Sequence, residues 1–167
     1  MHMEKQLFLR TNILCPPPKT CAFTGHRHLD EDFSSKKLKK AIKSLLEQGV
    51  NVFYNGMAVG FDLVAAEILL SFRKKYDFKL IACIPCTEQE KYYSLDEKKI
   101  YYKLLKKADE QIVLSESYFK GCMQIRDKYM AERADVLLTY CKKSVGGTAY
   151  TVKCFQKLHP QNEIIFL

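Results

Sequence analysis

Apolar residues follow two rhythms that alternate along the chain. In short blocks they stand at nearly every position: "TCAFT" at 20–24, "NVFY" at 51–54, "FKLIACI" at 78–84, "EQIVLS" at 110–115, "ADVLLTY" at 134–140 and "EIIFL" at 163–167. Between the blocks they recur every three or four residues. Leu38, Ile42, Leu45 and Leu46 do so within 34–48. Phe61, Val64, Ala65, Ile68, Leu69 and Phe72 do so within 60–76, and Ile100, Tyr101, Leu104, Leu105 and Ala108 within 88–108. The first rhythm belongs to strands buried on both faces, the second to one face of a helix. Two more helices are expected at 122–133 and 147–158. Ser34 or Ser35 suits the N-cap of the first helix, and Pro85 ends the third strand. Ser94 is where the 88–108 segment can divide in two.

Strands that alternate with helices make βαβ units and a largely parallel sheet. The expected fold is therefore α/β and Rossmann-like, a mostly parallel sheet covered by helices on both faces. Right-handed crossovers leave few topologies, and the order 3-2-1-4-5 with the last strand at the edge is expected. Residues 1–19, with the Pro-rich "CPPPK", read as a lead-in, and residues 20–167 as one domain without repeats or linkers.

Charge narrows the partners. A net charge of +8 and a pI near 9.1 permit nucleic acid or a small anionic ligand. Lys36, Lys37, Lys39, Lys40 and Lys43 surround the apolar stripe of the first helix, which makes them a solvated face. No aromatic residue interleaves with them for base stacking, so nucleic acid ranks behind a small ligand without being excluded. The seven cysteines are scattered, and only Cys83 and Cys86 form a C-x-x-C. No second pair or suitably spaced histidines complete a zinc site, and no metal is expected. Cys83 falls within a strand, and Cys86 lies beyond its end where it could line a pocket. The start lacks the pattern of a signal peptide and no apolar run is long enough to span a bilayer, so the expectation is a cytoplasmic protein away from the membrane.

In such a sheet ligands bind beyond the carboxyl ends of the strands. The first strand is followed by Thr24, Gly25, His26 and Arg27. The second is followed by Asn55, Gly56, Met57, Gly60 and Asp62, and the fifth by Gly146, Gly147 and Thr148. Glycine lets backbone N–H groups approach a ligand, and a helix N-terminus offers unpaired donors to an anion. Any one of these loops also fits an ordinary tight turn, and "GMAVG" is neither a Walker A loop nor a strict G-x-G-x-x-G. Together, at one edge of the sheet, they favour a ligand site. Arg27 would add a charge-assisted contact, and His26 would donate to phosphate or act as an acid. Met123, Arg126 and Met130 share a helix face, which suggests that Arg126 reaches into the same pocket rather than to solvent. Asp62 either complements its helix dipole or contacts a ribose hydroxyl. Glu67 either holds a loop at the rim or serves as an acid.

"FTGHR", "NGMAVGFDLVAAEIL" and "GGTAYTV", in this order and spacing, resemble the YpsA-like branch of the SLOG superfamily. That superfamily includes the Lonely Guy phosphoribohydrolases and DNA-processing protein A. The resemblance spans roughly residues 20–160. It implies a Rossmann-like fold and a site for nucleotides or nucleotide-derived molecules such as ADP-ribose or NAD-like compounds. No further cofactor is required. "MQIRDKYMAERADVLL" is similar to the helix and strand before the Lonely Guy catalytic loop, and Arg126 matches the functional arginine of those enzymes. Their loop reads P-G-G-x-G-T-x-x-E, whereas this chain has "SVGGTAYTVK". The proline is absent, and Tyr150, Thr151 and Lys153 stand where the glutamate belongs. The resemblance therefore implies a phosphate-binding loop without the usual carboxylate.

The leading expectation is a binding or sensing module for a nucleotide derivative. An alternative is an N-glycosidase or base transferase whose carboxylate comes from Glu67 or Asp62, with His26 as acid. Single-stranded nucleic acid binding comes third. Relatives in this superfamily often pair through helices, and the tyrosine-rich "KYYSLDEKKIYYKLL" is a candidate homo-oligomer contact, or else a helix packed within its own domain.

Overall fold

The computed structural model describes Pro17 and residues 19–167, so most of the 1–19 lead-in lies outside the described residues. Eleven elements follow in strict alternation: β1 (Lys19–Gly25), α1 (Ser35–Glu47), β2 (Val50–Asn55), α2 (Phe61–Ser71), β3 (Lys79–Ile84), α3 (Leu95–Leu105), β4 (Glu110–Val113), α4 (Cys122–Arg133), β5 (Val136–Tyr140), α5 (Gly147–Leu158) and β6 (Ile164–Phe166). The strands form one sheet in the order β4-β3-β2-β1-β5-β6, and every neighbouring pair is parallel. The chain is thus an α/β protein of Rossmann-like architecture.

The order corrects the expected 3-2-1-4-5 arrangement. β4 lies outside β3, and it is β5 that pairs with β1. The residues explain the difference. β4 reads Glu-Gln-Ile-Val and remains mostly exposed, which suits an edge, whereas all five residues of β5 are buried. A strand with polar residues at its start costs least where one side meets solvent. β6 takes the other edge, as expected.

Side chains leave the sheet with a period of two. Cys21, Phe23, Phe53, Leu80, Ala82, Val136 and Leu138 pack on the face that α1, α2 and α3 cover. Ala22, Ile81, Cys83 and Leu137 pack on the opposite face with Met130 and Ala131 of α4 and Val152 and Phe155 of α5. The helix boundaries follow their caps. The Ser34 side chain accepts from the Lys37 N–H and starts α1. Ser94 and Glu97 form a reciprocal capping box, which starts α3 at Leu95 and leaves residues 88–93 as turns. The second helix stops at Ser71, short of 76, because turns replace the helical ladder there.

Candidate functional site

With this order the direction of the crossovers reverses between β1 and β5, and the crevice of an open α/β sheet forms at such a point. β1 and β5 end level there, with Thr24 beside Thr139 and Gly25 beside Tyr140. A cleft of about 430 Å³ opens above them. Of the residues singled out from sequence, Thr24, Gly25, His26, Arg27, Asp62, Arg126, Gly147 and Thr148 line it.

Three helices begin beside this edge without a side-chain cap: α2 after Gly60, α4 after Gly121 and α5 after Gly146. All three glycines have positive φ, at 83°, 103° and 98°. This conformation is open to glycine and turns the chain sharply into the helix. The outer helices α1 and α3 carry serine caps instead. At α5 the first-turn N–H groups of Gly147, Thr148 and Ala149 have no intrahelical acceptor and face the end of the helix where the dipole is positive. Gly147 and Thr148 border the cleft directly.

The loops brace one another through His26. Its N–H donates to the Tyr140 carbonyl at 3.2 Å, and its carbonyl accepts from the Phe61 N–H at 3.1 Å. Its Nε2 accepts from the Lys142 N–H at 2.8 Å. An Nε2 that accepts cannot carry the proton, so the ring is neutral with its proton on Nδ1. Partial burial, with Lys143 and Lys142 close by, lowers its pKa. His26 therefore ties together β1, α2 and the loop before α5, and the expected acid role does not fit an Nε2 held this way.

The loop after β2 is a scaffold more than a ligand surface. Asn55 is wholly buried; its Nδ2 donates to the Asp62 carbonyl at 2.8 Å, and its Oδ1 accepts from the Met57 N–H at 2.7 Å. Met57 is buried at φ 56°. Gly60 lies so close to the loop after β1 that a Cβ there would stand 2.1 Å from the Arg27 carbonyl oxygen. At Gly56 a Cβ would stand 2.5 Å from a guanidinium nitrogen of Arg126. Asn55, Gly56, Met57 and Gly60, expected as ligand contacts, thus shape the cleft from behind and do not line it. Gly146 sits one residue outside the lining, as the N-cap position of α5.

Arg126 does reach the cleft, buried to 5% exposure. Its Nε donates to Asp127 at 2.7 Å, and a terminal nitrogen donates to the Gly56 carbonyl. Burial opposes its charge, but Asp127 and Asp62 outweigh that penalty. Asp62 is buried to 5% exposure. Its Oδ2 accepts from the Ala58 N–H at 3.3 Å, while its Oδ1 is buried with no partner among the described residues. Desolvation pushes its carboxyl up to about 7 against the pull of Arg126. Near neutral pH this group is poised between its two protonation states.

Asp127 was missed in the sequence, although it follows Arg126 and shares the spacing of three and four with Met123 and Met130. A carboxylate oxygen of Asp127 would lie 3.8 Å from a Cβ built on Gly147, so α4 supplies an acidic group at the mouth of the loop where α5 has none. Lys120 and Gln124 are further lining residues absent from the sequence reading. Glu67 is not brought in. It is 59% exposed on the outer side of α2 and pairs with Lys103 of α3 at 3.4 Å. Lys153 likewise turns outward and donates to the Ser144 carbonyl.

Cys83 is a buried core residue of β3, and desolvation pushes its thiol up to about 12. Cys86 is buried beside a second cavity. Among the described residues no group of three or more His, Cys, Asp or Glu side chains could hold a metal ion. No helix among them is long and apolar enough to cross a membrane. In the tyrosine-rich segment Tyr93 and Tyr101 are core residues, while Tyr92 and Tyr102 are exposed.

Fold and cleft together define a Rossmann-like α/β protein whose polar pocket lies at the switch point of its sheet, walled by glycine-started helices. The chain belongs to the YpsA family of SLOG proteins: the family model described as the YspA SLOG family matches residues 23–166. It is 26% identical over 141 residues to a UPF0398 protein of Halalkalibacterium halodurans, covering 82% of this chain and 75% of that one. Its fold is similar to that of DNA processing protein A from Streptococcus pneumoniae, with a TM-score of 0.65 and 21% identity. It is also similar to DNA processing protein A from Helicobacter pylori, whose structure concerns single-stranded DNA binding, with a TM-score of 0.64 and 22% identity. Each superposition covers 89% of this chain, but only 50% and 65% of those proteins.

Proposed function

We propose that the cleft binds a nucleotide or nucleotide-derived ligand of the ADP-ribose or NAD-like kind. The observation that carries this reading is the unpartnered, buried Oδ1 of Asp62 in a cleft into which the uncapped N-terminus of α5 opens. An orphaned buried acceptor costs stability unless a ligand donor meets it. A ribose hydroxyl supplies such a donor, and the same molecule carries phosphates suited to the free N–H groups of Gly147 and Thr148. Arg27, exposed at the rim, adds charge. Among the residues expected from sequence, Thr24, Gly25, Arg27, Asp62, Arg126, Gly147 and Thr148 thus keep a place at the site.

The test is a thermal shift with ADP-ribose, NAD and inorganic pyrophosphate. Gly147 has ordinary φ, and a Cβ there would meet nothing closer than 3.8 Å, so Gly147→Asp is compatible with the fold. The added bulk and negative charge should abolish the shift. A response equal to that of the wild type removes α5 from the site.

A second reading, cleavage of an N-glycosidic bond, has one specific support. Asp62 and Asp127 place two carboxyl groups in the cleft on either side of Arg126, and one of them is poised near neutrality. Release of free base from nucleoside monophosphates or NAD, lost in Asp62→Asn, would establish it; no release from a broad panel ends it. Single-stranded nucleic acid binding is third, and a gel shift that falls steeply with salt is its test.

A further inference from the structure

A second cavity, of about 740 Å³, adjoins the cleft and shares Arg27, Tyr118 and Met123 with it. Its remaining wall comes from six of residues 86–93, in the turns between β3 and α3, together with Val59, Glu97 and Ser117. Two anchors hold these turns against the loop after β2. The Tyr93 hydroxyl donates to the Met57 carbonyl at 3.2 Å, and the Gln89 Nε2 donates to the Gly56 carbonyl at 2.7 Å.

Gln89 is the informative residue. It is 6% exposed and lines the second cavity. Because its amide nitrogen must face the Gly56 carbonyl, the orientation of the amide is fixed, and Oε1 is left as the free acceptor. That Oε1 is buried and has no partner among the described residues. The Gly56 carbonyl also accepts from Arg126, so one oxygen joins the polar wall of the cleft to that of the second cavity. Each cavity is therefore lined by a residue with one buried acceptor that is unsatisfied among the described residues. The second cavity differs in adding tyrosines to the shared Tyr118: Tyr92, 90% exposed, and Tyr93 line it alone. An unsatisfied acceptor between exposed aromatic rings suits a flat heterocycle that bears an amino group.

We infer that the second cavity is the base subsite of the same ligand site, selective for nucleobases with an exocyclic amine, which donates to Gln89 Oε1 while the ring stacks on Tyr92. This rests on the nucleotide reading above, with phosphates at α5 and the base beyond Arg27. It assigns a role to Gln89 and Tyr92, neither of which the loop motifs mark.

Calorimetric titration of four nucleotides and inorganic pyrophosphate separates the two ideas. ADP and CDP carry the amine; IDP and UDP carry a carbonyl oxygen in its place. Wild type should bind ADP and CDP about tenfold more tightly than IDP and UDP, the scale of one buried hydrogen bond. Gln89→Leu should bring each ratio close to one and leave pyrophosphate affinity unchanged, since the Gly56 carbonyl keeps Arg126. Tyr92→Ala changes an exposed side chain that lines only the second cavity and leaves the core intact. It should weaken ADP and IDP alike by about fivefold, with no effect on pyrophosphate. Equal binding of the four nucleotides by wild type overturns the base subsite, as does a preference that survives Gln89→Leu, or nucleotide affinity untouched by Tyr92→Ala. In those cases pyrophosphate binding still upholds the phosphate site. If neither pyrophosphate nor any nucleotide binds, the nucleotide reading falls and this inference falls with it.

Discussion

Asp62 is held under opposing pressures. Burial favours its neutral form, Arg126 and the Ala58 N–H favour the ionised one, and burial prevails, pushing the carboxyl up to about 7 from 3.8. Between those values the folded chain holds a proton that the unfolded chain has released. Stability contributed by this group is therefore full below the unfolded value, declines as pH rises toward about 7, and is lost above it. Asp62→Asn should accordingly stabilise the protein at about pH 8, by roughly 2 to 4 kcal/mol, and much less at about pH 4. Urea denaturation at the two pH values checks this; a gain independent of pH would mean that Asp62 is not the titrating group. The glycines separate at the same scale. Gly60→Ala must both adopt a left-handed φ and clash with the Arg27 carbonyl, and should cost roughly 2 kcal/mol or more. Gly147→Ala meets open space at ordinary φ, apart from Asp127 at 3.8 Å, and should leave the melting temperature nearly unchanged.

Among the elements, the helices divide by how they start. α1 and α3 begin with serine side chains on backbone N–H groups, and their role is packing. Ser94→Ala removes the capping box of α3 and should cost about 1 kcal/mol in denaturation while leaving ligand affinity intact. α2, α4 and α5 begin at positive-φ glycines with no side-chain cap. Their N-termini are less stabilised internally, and the first turn of α5 remains open to an anion. Ser34 was legible as a cap from its place just before the apolar stripe, and Ser94 only as a break in the 88–108 segment, although Ser followed by Glu three residues on is a local pattern. The distinction between glycines was not. Gly56, Gly60 and Gly147 look alike in sequence, yet one makes room for Arg126, one for the Arg27 backbone and one for open space.

For the whole molecule the relevant quantity is the charge of the cleft. Arg27, Lys120 and Arg126 face Asp62 and Asp127. Protonation of Asp62 removes one negative charge, so binding of an anion should strengthen as pH falls through about 7. Sulfate keeps its own charge across that range, and its affinity should rise several-fold from about pH 8 to about pH 6, with the dependence flattened in Asp62→Asn. An affinity that is flat in wild type would detach Asp62 from the anion site.

The sequence by itself determined the eleven elements, their α/β alternation and the three loops that gather at one edge, because hydrophobic period and turn chemistry are local properties of the chain. It also placed Arg126 in a pocket from its spacing with Met123 and Met130. Only the tertiary structure decided the strand order, since pairing β5 rather than β4 with β1 depends on which strand tolerates an edge. It alone decided which carboxylates face the cleft. Asp62 and Glu67 lie five residues apart on one helix, and packing turns Asp62 inward beside Arg126 and Glu67 outward to Lys103. Asp127 of α4 brings a carboxylate close to the first turn of α5, which has none of its own. His26 and Asn55 became braces because their hydrogen-bonding groups found backbone partners first. Such outcomes depend on contacts between segments far apart in the chain, which no local pattern records.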